Sequence, residues 1–403
     1  MTKQIPAIIF LLFILTHVVK AQNNYNEISL PELMKKKQAD KNIVVVDVRT
    51  NAEYYDSATR GKQSNIGRIK DALHIELRDL QQNPDAVKQL DAYKDKDIYL
   101  ICSHSYRSRS ASSILLKNGF THVNNVRGGM TEWFRRYDDL APYKSDFYET
   151  STSYENVSPS QVAHDLIAGK NPLLIGISGT PRFWWDSATK KLYDYLPLFK
   201  EAIYFDYSDS LKVLETVQKE KGRQVVFFNM VNNGAAELAD WLTQKGIPGI
   251  SYLVGGNYYF YEHIRNKQLA GKAGKFMVQK NSIQFITPID YCNQVSQKNL
   301  QVIDLRHDTL FNKISDGVKY DYRYLKGSVN FFAGKGEDLF SKEFPDKQKN
   351  YILMSQDGMA GLELAGALTK KGYKIYWLMG GLWRLEWYTI NIEDFGCKDI
   401  LVK

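Results

Sequence analysis

Cysteine is scarce here: three residues among 403, Cys102, Cys292 and Cys397. An odd count leaves at least one thiol outside any intramolecular pair. Long apolar runs are also missing once the N-terminus is passed. No segment after residue 22 approaches the 18 or so apolar residues that a membrane-spanning helix needs, so no downstream span is expected. Runs of basic residues are absent too. The formal charge is +8, but Lys and Arg are scattered among many acids. That pattern reads as a solvated surface with weak attraction for anions, and no nucleic-acid partner is expected.

What the chain does have is a pattern that occurs three times. An apolar strand runs into a short polar loop, then a helical stretch, then a Gly-Gly pair. The first copy reads Ile98–Ile101, Cys102 to Ser108, then Gly128-Gly129. The second reads Val225–Phe228, Asn229 to Gly234, then Gly255-Gly256. The third reads Tyr351–Met354, Ser355 to Met359, then Gly380-Gly381. Only the first loop holds a cysteine. Repeats this long are far outside the range of about 20–50 residues used by solenoids. Each unit is large enough to bury its own core.

Strands alternating with helices predict α/β units, each with a mostly parallel sheet flanked by helices. Ser29, Pro31 and Glu32 signal a helix start, as do Ser158-Pro159 and Thr287-Pro288. Ile43–Val48 is a β-branched apolar run of the kind a buried parallel strand shows. Residues 1–21 form a secretory signal pattern: Lys3, an apolar run over Ile5–Val19, then Val19-Lys20-Ala21 before polar Gln22. The alternative is an uncleaved anchor. The expected organisation is a signal peptide over 1–21 and units over 26–145, 154–272 and 283–403. The expected location is secreted or periplasmic, with no stable membrane insertion after cleavage.

The first loop carries the chemistry. A cysteine that ends a buried strand and precedes a helix faces the partial positive charge of loop and helix N–H groups, which favours thiolate over thiol. Arg107 adds a full positive charge nearby. A ring of N–H groups from Ser103, His104, Ser105, Tyr106, Arg107 and Ser108 would also cradle an anion. An inert buried thiol is the alternative for Cys102, and the polar loop, helix start and Arg107 weigh against it.

Several motifs in order give this loop a context. Asp47-Val48-Arg49 and Glu53-Tyr54 come first, then Gly67-Arg68-Ile69 and Ala72 to Ile75. Cys102 to Ser108 follow, then Gly128-Gly129 with Trp133. On these residues 28–143 resemble a rhodanese domain, the family of sulfurtransferases that carry a persulfide on one cysteine. The later units resemble the same fold without the cysteine. Ser105 departs from the family loop, which usually has Gly there, and the stretch between Tyr54 and Gly67 is longer than usual, as is Asn312–Tyr324. These extensions are read as lids or, preferably, as surface insertions.

The resemblance implies a sulfurtransferase that moves sulfane sulfur from a small-molecule donor such as thiosulfate to a thiol or cyanide through a Cys102 persulfide. No cofactor or metal is implied. Arg107 would hold the donor's anionic end or the persulfide charge. Asp47 and Arg49 are read as a supporting ion pair with loop residues such as Glu53. Phosphatases and arsenate reductases on related folds need a loop one residue longer; the four residues between Cys102 and Arg107 favour sulfur. A non-enzymatic binding or sensing protein is the other alternative, since Asn229 and Ser355 cannot carry a persulfide. An oxidising compartment favours disulfides, and the ends of a domain lie close together, so a Cys292–Cys397 bridge is expected, two separate buried thiols being the alternative.

Overall fold

The same five-stranded parallel sheet is built three times. In the first unit the order is Asn26–Ser29, Val123–Arg127, Ile98–Ile101, Val44–Asp47, Leu73–His74. In the second it is Glu155–Val157, Ile250–Leu253, Val225–Asn229, Leu173–Ser178, Ile203–Asp206. In the third it is Gln284–Ile286, Lys374–Leu378, Asn350–Met354, Leu300–Asp304, Val329–Asn330. The strand feeding each polar loop is therefore central in its sheet. The computed structural model describes residues 25–179, 195–220, 222–229, 234–294, 300–311, 324–393 and 395–402. The signal pattern over 1–21 lies outside the described residues, as do nearly all of the third unit's extension and residues 230–233 of the second loop.

Local chemistry explains the helix starts. Leu30–Ala39 begins with a capping box, Ser29 bonding the Glu32 amide while the Glu32 carboxylate reaches back to Ser29. Pro159–Ile167 repeats the device with Ser158 and Gln161. The helix after Cys102 spans Tyr106–Lys117, starting two residues earlier than the sequence pattern suggests. Its cap is Ser105, held in the left-handed region at φ 78°. Among the described residues, no helix is long and apolar enough to cross a membrane.

Three short antiparallel pairs tie each unit's tail to its own body: Arg68–Ile69 with Tyr148–Glu149, Leu198–Phe199 with Met277–Val278, and Tyr324–Leu325 with Leu401–Val402. Two of these tails lie in stretches that read as linkers. Cys292, in the opening helix of the third unit, is disulfide-bonded to Cys397 in its tail, and Cys102 is the free thiol.

The units do not hang as separate beads. One apolar cluster runs from Leu33 and Trp133 of the first unit to Phe227 and Tyr252 of the second. Another joins Phe228 and Phe260 of the second unit to Trp377 and Leu353 of the third. The extension after Tyr54 acts as a strut between units. The amides of Gly61 and Lys62 donate to Glu237 of the second unit, and Lys62 pairs with Asp240 at 2.8 Å. It is therefore neither a free lid nor a bare surface insertion.

Candidate active site

The Gly-Gly pairs place the loops. Gly129, at φ 63°, lies so close to the Cys102 carbonyl that an added Cβ would sit 2.2 Å from its oxygen. That approach lets the amide of Met130 donate to the Cys102 carbonyl at 2.8 Å and the amide of Thr131 to that of Ser103 at 3.2 Å. Gly256 meets the Asn229 carbonyl, and Gly381 the Ser355 carbonyl, in the same way. Only a residue without Cβ fits these positions.

In the first unit the loop is held from below. Ser105 is fully buried; its hydroxyl donates to the Val126 carbonyl and accepts from Asn125 at 2.8 Å. These bonds offset the cost of a left-handed, non-glycine cap. Ser108 is buried too, its Oγ 3.5 Å from Cys102 Sγ and 3.1 Å from the Ser105 carbonyl. One hydroxyl proton serves one of these acceptors at a time. Cys102 is 1% exposed. Among the described residues, no protein acceptor takes the amide N–H of Ser103, His104 or Ser105.

Arg107 is not the free cation that the sequence suggests. Its guanidinium forms a two-pronged pair with Glu53, at 2.5 and 2.7 Å, and also reaches Ser103 Oγ at 2.9 Å. Burial opposes the charge on Glu53, but Arg107 and the Thr50 cap outweigh it and hold the carboxyl down at about 2. The pair thus fixes Ser103 and lowers the net charge facing the loop. Contrary to the expectation from the sequence, Glu53 bonds to neither Asp47 nor Arg49. Those two bond each other at 2.7 Å, fully buried, and Arg49 donates to the Gly67 carbonyl. They brace the strand end and do not touch the cavity.

Ser103, His104 and Arg107 line a cavity of about 450 Å3 with Glu53 and Thr131. Its far wall belongs to the second unit and includes Asn229, the residue at the cysteine position. Ser105 and Ser108 support the loop from beneath, and Tyr106 faces a second, larger cavity. His104 lines both cavities. Its side chain is accessible to water yet crowded by protein. That crowding, with the charges of Arg384 and Arg107, holds the imidazole down to about 4, so it is neutral at neutral pH. Glu53, Thr131 and Asn125 are site residues that the loop reading did not assign. Glu53 was visible as part of a motif, and the other two carried no signal of their own. Among the described residues, no cluster of His, Cys, Asp and Glu could hold a metal ion.

At the cysteine position of the other two units, side-chain oxygens take backbone amides. Asn229 Oδ1 accepts from the amide of Ala235 at 3.0 Å, and its Nδ2 donates to the Tyr252 hydroxyl. Ser355 Oγ accepts from the Gly358 amide, and Asp357 accepts from the amides of Met359 and Ala360. The amides of Ala235, Gly358, Met359 and Ala360 are thus taken by side-chain oxygens of the same units.

The family model of the Rhodanese-like domain matches residues 30–136 and 287–385. A tRNA uridine(34) hydroxylase of Cytophaga hutchinsonii is 29% identical over 119 residues, which is 30% of this chain and 35% of that protein. The chain thus spans about a third of that relative's length. The "Putative sulfurtransferase YtwF" of Bacillus subtilis is 35% identical over 107 residues, 27% of this chain and 88% of that protein. A structure of wild-type EanB covers 90% of this chain and 96% of its own at 13% identity, with a TM-score of 0.28, too low to argue from. The middle unit falls outside both matched regions, yet its sheet repeats the strand order of its neighbours. With about half its length matched in two regions, and 88% of a short relative covered at 35% identity, the chain belongs to the Rhodanese-like domain family.

Proposed function

We propose that this protein is a sulfurtransferase working through Cys102. The observation that carries the reading is the contrast at one position: the first loop has a thiol there and Ser103, His104 and Ser105 amides without a protein acceptor, whereas the other two units have Asn229 and Ser355, whose side-chain oxygens take the amides of Ala235 and Gly358. The Cys102 thiolate attacks the outer sulfur of a donor such as thiosulfate; the S–S bond of the donor breaks and sulfite leaves with its electron pair. The persulfide anion then rests against the loop amides, in a setting of low polarity where such contacts are strong. A thiol or cyanide takes the outer sulfur and returns Cys102 as thiolate. Arg107 acts here as a positioning residue that holds Ser103 through Glu53. The near-complete burial of Cys102 suits a donor that presents one narrow sulfur-bearing end. The apolar run over residues 5–19 and the disulfide-bonded third unit support a secreted or periplasmic location.

Replacing Cys102 with Ser tests the assignment. Thiosulfate:cyanide sulfurtransferase activity should vanish in Cys102→Ser. Activity that persists in that variant overturns the reading, and turnover of a phosphate ester dependent on Cys102 would replace it with a phosphatase.

A further inference from the structure

Beside the cavity lined by Ser103, His104 and Arg107 of the Cys102 loop lies a larger one of about 740 Å3, to which all three units contribute. Tyr106 comes from the first unit, Tyr258 and Tyr261 from the second, and Phe285, Trp377 and Trp383 from the third. His104, Tyr258 and Tyr259 belong to the walls of both cavities, so the two are contiguous. From this geometry we infer that the larger cavity binds the sulfur acceptor, and that this acceptor is a small-molecule thiol with an aromatic or similarly flat apolar body that carries no negative charge. The inference rests on the sulfurtransferase reading of Cys102 and names the substrate class of that site.

Size and lining point to a small molecule. Ligand pockets of about 300–1,000 Å3, mostly apolar with a few polar groups, hold molecules of drug size. Cyanide or another small anion would leave such a space empty. Charge argues in the same direction. An anionic body would meet Asp357 and Glu386 in the wall. The Arg384 guanidinium also stands in the wall, over the rings of Tyr259 and Trp387 at 4.5 and 4.7 Å. Arg384 is in turn neutralised by its buried pair with Glu262. Trp383 is 60% exposed and stands at the wall as a stacking surface.

The step needs no further reactant. The acceptor thiol loses its proton to solvent, and its thiolate attacks the outer sulfur of the Cys102 persulfide. The new S–S bond forms on the acceptor as the old one breaks, and Cys102 leaves as thiolate. No net oxidation occurs.

The test uses the mature full-length protein loaded with sulfur from thiosulfate. Sulfur transfer to 2-phenylethanethiol is compared with transfer to 2-mercaptoethanol. The phenyl-bearing thiol should react faster by about tenfold or more, the scale expected when an aromatic ring is buried. In Trp383→Ala the ratio between the two thiols should fall toward one. A second arm measures binding of unreactive 2-phenylethanol by tryptophan fluorescence, which should saturate in the intact protein and weaken severalfold in Trp383→Ala. Equal rates for both thiols, or a preference and binding untouched by Trp383→Ala, overturn the inference. Should thiosulfate leave Cys102 unmodified, the sulfurtransferase reading fails, and the binding arm still decides whether the cavity takes an aromatic molecule.

Discussion

Replacing Glu53 with Gln removes one charge from a carboxyl that accepts from Arg107, Ser103 and Thr50, with little change in side-chain size. The carboxyl is held at about 2 against an ordinary 4.5, and each pH unit corresponds to about 1.4 kcal/mol. Discounted for the side-chain exposure of Arg107, 32% against 14% for Glu53, the ionised Glu53 with its Arg107 and Thr50 contacts contributes roughly 2–3 kcal/mol to the first unit at pH 7. The folded value is depressed, so this stabilisation is fully present above pH 4.5 and lost as pH falls through the folded value near 2. Glu53→Gln keeps a hydrogen-bonding amide but leaves Arg107 without its counter-charge. Hydrogen exchange of the peptide spanning Ser103 to Ser108 reads the effect locally, which matters because three units need not unfold together. At pH 7 the variant should exchange faster there by one to two orders of magnitude. The intact protein should lose protection between pH 4.5 and 2, after correction for intrinsic rates, and the variant should lack that step. Equal protection at pH 7, or the same acid step in both proteins, would refute the argument that Glu53 and Arg107 hold the loop.

Gly129→Ala should disable the site without touching its chemistry. The left-handed backbone alone costs about 1 kcal/mol, and the new Cβ would press on the Cys102 carbonyl; thermal melting should drop and the rate of persulfide formation should fall by at least about tenfold. At position 105 the order of stability should be Ser, then Gly, then Ala. Gly relieves the positive φ, whereas Ala keeps the strain and loses the bonds to Val126 and Asn125; urea titration should separate Gly from Ala by about 1 kcal/mol. Cys292→Ser removes a bridge between residues 105 apart in sequence, worth at most about 4–5 kcal/mol. Limited proteolysis should then cut the third unit first, with the Cys102 loop protected.

The periodic and local features were legible in the sequence. Ser29 with Glu32 and the apolar run around Val45 need only their neighbours to be understood, and the Gly-Gly pairs announced the repeat. Their purpose was not readable, because it lies in the approach of Gly129, Gly256 and Gly381 to carbonyls in other parts of each unit. The opening strand Asn26–Ser29 was missed since it is short, polar and on a sheet edge. Arg107 looked like a free cation because Glu53 is far away along the chain and comes near only through the fold. Asp47 and Arg49 were legible as an ion pair, but their partner was taken to be Glu53 when each is the other's. The strut formed by Gly61 and Lys62 depends on Glu237 and Asp240 of another unit. The aromatic cavity depends on three units at once, and no single stretch of sequence encodes it.

The central claim is that Cys102 carries sulfur, and intact mass after thiosulfate treatment under non-reducing conditions tests it most directly. The account predicts a gain of one sulfur atom, located by peptide mapping on Cys102, reversed by a thiol or cyanide and absent in Cys102→Ser. A mass unchanged by thiosulfate and other sulfane donors, or a Cys102 tied up in a disulfide as the dominant species, would contradict it.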